Sequence, residues 1–234
     1  MLDVRNLNVW YGKTEVLRDV TFSVGESKVV ALLGGNGSGK TTILNTLSGV
    51  VKPRAGSIAV SGHTLTGHDP RDIVKAGVVQ VPQGREVFAS MTVLDNLELG
   101  AATRSDKGEI RRDLDEVFGM FPRLHERRAR NAGYLSGGEQ QQLAIGRSLL
   151  ARPKVLLMDE PSAGLAPSIV DNMIATIKLL HQRGLTILLV EQNVGVAAAV
   201  AETAHVLQNG EIVYTGDAAG LINNEKVLAS YLGT

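Results

Sequence analysis

GGNGSGKTT, residues 34–42, stands directly behind the apolar run KVVALL at 28–33. The run reads as a buried strand and 41–49 as a short helix. Between them, four glycines, an asparagine and a serine lead to a single lysine and two threonines. Glycines let successive backbone N–H groups turn toward one point, and the helix N-terminus adds positive potential there. Gly34–Thr41 fits G-x-x-x-x-G-K-[ST], the pattern of a loop that cradles phosphates. A merely flexible turn needs no Lys40-Thr41 at its end.

The residue types assign the chemistry. Gly34, Gly35, Asn36, Gly37, Ser38 and Gly39 supply the cradle. Lys40 reaches the β- and γ-phosphates, Thr41 offers a hydroxyl to Mg²⁺, and Thr42 donates to a nearby phosphate. A second element should hold the metal. VLLMDE, residues 155–160, is an apolar strand ending in two carboxylates. Asp159 is placed near Mg²⁺ through water, and Glu160 near the attacking water, as its general base. Alone, the same strand end reads as an acidic tip facing solvent; the phosphate loop tips the choice.

Composition limits the alternatives. The 234 residues suffice for one domain with a substantial core. The 24 basic and 24 acidic side chains cancel, so no broad basic field favours nucleic acid. With no cysteine, disulfides, thiolate metal sites and a Cys nucleophile are excluded. The start MLDVRNLNVW is neither a leader nor a spanning segment, and no apolar run approaches the ~20 residues that cross a bilayer. A membrane role is therefore expected to be peripheral, through a partner.

Strands are expected at 2–9, 17–24, 57–60 and 77–81, the last two following turn-rich pieces. Helices are expected at 93–102, 109–120 and 140–151, within a helical subdomain at approximately 85–150. An α/β rhythm then resumes: strand 155–158, helix 169–182, strand 186–190 and helix 194–201. Asn209-Gly210 between 205–208 and 211–214 signals a hairpin, and a helix at 225–231 closes the chain. Gln80 falls within a strand, and Met91, Met120, Met158 and Met173 read as core fillers. His63, His68, His125, His181 and His205 lack metal-like spacing and read as surface or structural.

Leu135-Ser136-Gly137-Gly138-Glu139-Gln140 distinguishes among phosphate-loop classes. Ser136 and Glu139 form a capping box on sequence grounds, but a box needs neither glycine. The stretch resembles the LSGGQ-type signature of ABC ATPases, the nucleotide-binding subunits of ATP-binding cassette transporters, and the other family elements follow in order over nearly the whole chain. The resemblance implies an α/β fold: an ABC-type P-loop NTPase with an antiparallel β subdomain and a helical insertion, one ABC ATPase domain over residues 1–234. It implies that Tyr11 stacks on adenine; Trp10 is expected to face away if residues 9–11 stay extended. Gln83 becomes the lid glutamine that touches Mg²⁺, so the metal set is Thr41, Gln83 and Asp159. Ser162, Ala163, Gly164, Leu165 and Ala166 become the loop that communicates across a head-to-tail dimer, in which the signature of one subunit covers the ATP on the phosphate loop of the other. Gln192 stands where most such ATPases carry histidine; it orients the γ-phosphate but takes up no proton, leaving base work to Glu160.

FPRLHERR at 121–128, LSGGEQQQLAIGRSLL, DEPSAGLAP, LLVEQN and the ending Tyr231-Leu232-Gly233 are similar to the shorter ATPase subunit of branched-chain amino acid importers. That resemblance implies a Mg-dependent ATPase on the cytoplasmic membrane face, with ATP and Mg²⁺. Its implied partners are a second, non-identical ATPase, two permeases and an extracytoplasmic substrate-binding protein, with no nucleic acid; a homodimer is one option for the isolated chain, which the sequence does not decide. Urea importers are the nearest rival; Gln83 stands where branched-chain subunits often carry Glu. A soluble ABC-type ATPase acting on nucleic acid or ribosomes would carry two cassettes, long insertions or basic arms. The cluster HERRAR, 125–130, reads as a solvated face, with a permease loop or an acidic ligand as alternatives, and Ala89, Met91 and Val93 are expected to line the permease groove.

Overall fold

The computed structural model describes residues 1–223. The helix expected at 225–231 and the Tyr231-Leu232-Gly233 ending lie outside the described residues. The chain opens with β1 (Leu2–Tyr11) and β2 (Thr14–Val24), then β3 (Val29–Leu33), α1 (Lys40–Leu47), β4 (Ala55–Val60) and β5 (His63–Thr64). It continues through α2 (Pro70–Ala76), β6 (Val78–Val81), α3 (Val93–Leu99), α4 (Lys107–Met120), α5 (Pro122–Glu126) and α6 (Gly137–Leu149). Last come β7 (Val155–Asp159), α7 (Pro167–Gln182), β8 (Thr186–Glu191), α8 (Val194–Val200), β9 (Thr203–Gln208) and β10 (Glu211–Asp217).

Two sheets result. One is antiparallel, in the order β2-β1-β4-β5; the other runs β10-β9-β3-β8-β7-β6, parallel throughout except for the β9–β10 hairpin. The central strands explain their unbroken apolar runs. Val29, Ala31 and Leu33 of β3 enter one core, packed against the helices, while Val30 and Leu32 enter the other, beneath the antiparallel sheet and α1. Leu156 and Met158 of β7, and Ile187 and Leu189 of β8, follow the first path; Val155, Leu157, Leu188 and Val190 follow the second. A strand covered on both faces needs apolar side chains at every position, since its period of two sends alternate residues to opposite cores.

Some expectations needed correction. The piece containing Pro70, read as turn, is α2, with Pro70 in its first turn and Gly77 as a left-handed C-cap; seven residues are too few to show a helical period. α6 begins at Gly137, not at 140, because the Ser136–Glu139 box starts it early. Met158 and Met173 lie in the core and Met120 packs on it, but Met91 sits half-buried in the loop before α3, its carbonyl accepting from Ala132 N. Among the described residues, no helix is long and apolar enough to cross a membrane.

Candidate active site

The phosphate loop joins β3 to α1 at the carboxyl edge of the parallel strands, with β8 and β9 flanking β3. Ligand sites of open α/β sheets lie at this edge. Gly37 and Gly39 adopt φ of 77° and 111°, and a Cβ on Gly39 would stand 2.7 Å from Leu17 Cδ2. The loop is braced from outside. Gly210, in the β9–β10 turn, donates to Ser38 O at 2.9 Å and accepts from Arg18 N at 2.9 Å. A Cβ on Gly210 would run into the Val16 carbonyl. The hairpin legible as Asn209-Gly210 is therefore also a strut under the phosphate loop, a role that no local sequence signal carries.

Lys40 is 5% exposed. Its Nζ donates to Gly34 O at 2.7 Å and Gly35 O at 2.9 Å and pairs with Glu160 Oε1 at 3.2 Å. Gln83 Nε2 donates to Glu160 Oε2 at 3.1 Å. Lys40 and Gln83 thus both meet the carboxylate of Glu160, the expected base, from separate parts of the chain. Glu160 stands just beyond β7 at φ 42°, an uncommon backbone for a non-glycine residue, held by its own N–H donating to Val190 O at 2.9 Å. Val16, Asn36, Gly37, Gly39, Lys40, Thr41, Thr42, Gln83 and Glu160 line a cleft of 260 Å³.

Asp159 is buried at the carboxyl end of β7, where its backbone pairs with Val190 of β8. Burial first, then the charges of Glu160 and Glu191, push its carboxyl up to about 6, against the pull of Lys40. A divalent cation would balance such a carboxylate. The hydroxyl of Thr41, the amide oxygen of Gln83 and the Asp159 carboxylate are hard oxygen donors of the type Mg²⁺ takes. Among the described residues, no group of three His, Cys, Asp or Glu side chains is arranged to hold a metal ion.

Glu191 has no counterpart in the sequence reading. It ends β8, opposite Leu33 of β3, and is 1% exposed. Its carboxylate accepts from Ser162 N at 3.1 Å, Gln192 N at 3.1 Å and Asn193 N at 3.2 Å. The signal was a charged residue closing a strand of otherwise buried residues. Gln192 is exposed beside it. The 162–166 loop turns on Gly164 at φ 66°, with Leu165 N donating to Ser162 O at 3.2 Å. Ser162 is buried, while Ala163, Gly164 and Ala166 are exposed.

The signature lies elsewhere. Ser136 caps α6, with the predicted box complete: Glu139 N donates to Ser136 Oγ, and Ser136 N to Glu139 Oε2 at 2.8 Å. Leu135 is anchored in the core, and Gln140 Nε2 donates to Ala132 O at 3.4 Å. A Cβ on Gly137 would stand 2.9 Å from the Arg85 guanidinium, and one on Gly138 3.1 Å from Ile169 Cγ2, so both glycines keep neighbours close. Arg127 of the basic cluster pairs with Glu139 at 3.3 Å. The hollow beside Ser136 and Gly138 shares no lining residue with the phosphate-loop cleft. Tyr11 ends β1 half-exposed; Val16 lines the cleft nearby. Trp10 packs under the Arg54 guanidinium at 4.8 Å.

A phosphate loop after β3, a carboxylate pair at the end of β7 and a capped serine–glycine helix start, on paired antiparallel and parallel sheets, define an ATP-binding cassette. The chain belongs to the ABC transporter family, whose model matches residues 17–163, and is an ATP-binding subunit closely related to the ATPases of branched-chain amino acid importers. It is 44% identical to the high-affinity branched-chain amino acid transport ATP-binding protein BraG of Pseudomonas aeruginosa, over the full length of both. It is 37% identical to the probable branched-chain amino acid transport ATP-binding protein LivF of Archaeoglobus fulgidus, over 97% of this chain and 96% of that one. Among solved structures, a nucleotide-free ATP-binding cassette from an ABC transporter superposes with a TM-score of 0.89 at 27% identity, covering 100% of this chain and 99% of the other. A dimeric cassette bound to ADP and Pi superposes at 0.81 and 25% identity, covering 93% and 99%.

Proposed function

We propose that this chain hydrolyses ATP to drive uptake of branched-chain amino acids through separate permease subunits. The full-length likeness to a branched-chain transport ATPase carries the cargo; the convergence of Lys40, Gln83 and Glu160 carries the chemistry.

The triphosphate takes Lys40 away from Glu160. Its γ-phosphate is the stronger anion for an ammonium already fixed by two carbonyls. Glu160 Oε1 then turns to water, and the carboxylate accepts the proton as water attacks the γ-phosphorus in line and the bond to the β–γ bridging oxygen breaks, leaving ADP and inorganic phosphate. Thr41, Gln83 and Asp159 would hold Mg²⁺, which when bound neutralises charge on the β- and γ-oxygens. Gln192 orients the γ-phosphate by hydrogen bonds, and Tyr11 stacks on adenine. The cradle of Gly34, Gly35, Asn36, Gly37, Ser38 and Gly39, with Thr42, holds the phosphates.

Ser136, Gly137 and Gly138 close on the ATP of a second, non-identical ATPase, and the 162–166 loop reports closure across that interface. The helical section at 85–150 acts as a subdomain facing two permeases, and the complex works at the cytoplasmic membrane face with an external binding protein. Closure that ATP favours must also tighten ATP binding. The assembled complex, reconstituted in vesicles, is tested with leucine and urea in competition. Leucine uptake coupled to ATP turnover is expected. Urea uptake with leucine-independent turnover overturns the cargo assignment.

A further inference from the structure

We propose that Glu191 is a positioning residue of this site, one buried carboxylate that makes the Gln192 loop and the 162–166 loop move as a unit. The proposal rests on the reading that both loops serve a shared ATP. It starts from an energetic oddity. Glu191 is 1% exposed, and among the described residues no lysine, arginine or histidine pairs with it. A buried charge without a cation must be compensated by hydrogen bonds. Three backbone N–H groups do this, at 3.1, 3.1 and 3.2 Å. An ionised carboxylate only accepts, and such charge-assisted bonds exceed neutral ones in strength.

The three donors come from two loops. Oε1 takes Ser162, the first residue of one; Oε2 takes Gln192 and Asn193, the start of the other. Ser162 lies 29 residues from Glu191 in sequence, so this is a tertiary link, not a local turn. Neither loop can shift alone without leaving part of a buried charge unsatisfied. The carboxylate also sits where strand ends meet: Glu191 faces Leu33, just ahead of Gly34, while Val190 faces Asp159 and accepts from Glu160 N. A displacement of Gln192 by phosphate therefore reaches Ser162 through Glu191, without passing through the side chain of Glu160. A strand end needing only burial would be served by an apolar residue, as at the buried positions 187–190 before it.

The test uses the assembled transporter. E191Q retains the shape but sets an amide NH₂ against backbone donors. Its kcat is expected to fall by about 10-fold, as for loss of one charge-assisted hydrogen bond, with KM for ATP within about 3-fold. Added to Q192A, E191Q is expected to lower kcat by less than about 3-fold further, because both act through one loop. An unchanged kcat in E191Q, or losses that multiply in the double variant, overturns the proposal. Should E191Q fail to fold, backbone hydrogen exchange decides. A non-hydrolysable ATP analogue is expected to protect Ser162 in the wild type and not in Q192A; equal protection in both overturns the link. Wild-type protein without ATPase activity rejects the ATPase reading and this proposal together. Active wild type with an indifferent E191Q rejects only the positioning role.

Discussion

The phosphate loop and the serine–glycine start of α6, the second proposed to receive a partner's phosphate, are both glycine-rich helix N-termini, yet they are built in opposite ways. The first is walled in. Lys40 is buried against two carbonyls and a carboxylate, Gly39 packs on Leu17, and Gly210 braces Ser38 from behind. The second stands open. Ser136 is exposed, and its hydroxyl and N–H are both turned to Glu139, whose carboxylate also meets Arg127. A receptor with its own buried cation can hold a triphosphate before anything else arrives. One whose Ser136 donors turn to its own Glu139 suits the proposed role of adding to a phosphate that another surface presents. That asymmetry fits the proposed division of labour, in which one helix start binds and the other closes.

Breaking the first receptor at its carboxylate gives the largest effect. E160Q keeps the contacts to Gln83 and Lys40 within reach but cannot accept a proton from water. ATP turnover is expected to fall 10²–10⁴-fold, on the order of a general base removed, with ATP binding retained. Near-normal single-turnover hydrolysis in E160Q would move the base work elsewhere. Breaking the second receptor calls for charge. G138D puts a carboxylate in the first turn of α6, where it favours the helix, after Ile169 yields a few tenths of an ångström. Binding of ATP to the single subunit should stay within about 3-fold, while turnover and ATP-driven association fall roughly 100-fold through repulsion of the incoming phosphate. Loss of binding and closure together would erase the distinction between the receptors.

The two regions were unequally legible. The phosphate loop and the strand ending in Asp159-Glu160 announce themselves because the chemistry needs adjacent residues, and the capping box needs only a spacing of three. The doubly covered strands β3, β7 and β8 show as continuous apolar runs. Invisible were the couplings between distant segments: Gly210 beneath Ser38, Gln83 on Glu160, and Glu191 clasping Ser162. Each depends on which strands become neighbours, and the order β9-β3-β8-β7 is not written in any local pattern. α2 was missed for a different reason, since a seven-residue helix with one buried side chain, Ile73, presents no periodic stripe.

Asp159 sharpens the account of the first receptor at a smaller scale. Its carboxyl sits at about 6, raised from 3.8, so the folded state holds this proton more tightly than the unfolded chain does. Below about pH 4 the group is protonated in both states and contributes nothing. As pH rises from about 4 to about 6, folding loses stability, and the loss persists above. D159N is therefore expected to stabilise the metal-free, nucleotide-free protein by about 1–3 kcal/mol at pH 7.5 and to match the wild type at pH 4, read by denaturant unfolding. Equal stability at both values would mean the site has relaxed around the charge.

The smallest effect tests the second receptor from within. Glu139 Oε2 accepts from both Ser136 N and Ser136 Oγ, the same two donors that a phosphate would use. The glutamate thus stabilises the helix start and, on the proposed reading, competes with the ligand. E139A removes one half of the box and the Arg127 pair, and should lower stability by about 0.5–1 kcal/mol. It also releases the Ser136 donors and deletes a negative charge beside the incoming phosphate. The Kd of ATP-driven association, measured by light scattering in an E160Q background that prevents turnover, is expected to tighten by roughly 3-fold while the melting temperature falls. A weaker complex together with the lower melting temperature would mean that the box orders Ser136 for its ligand more than it occupies it.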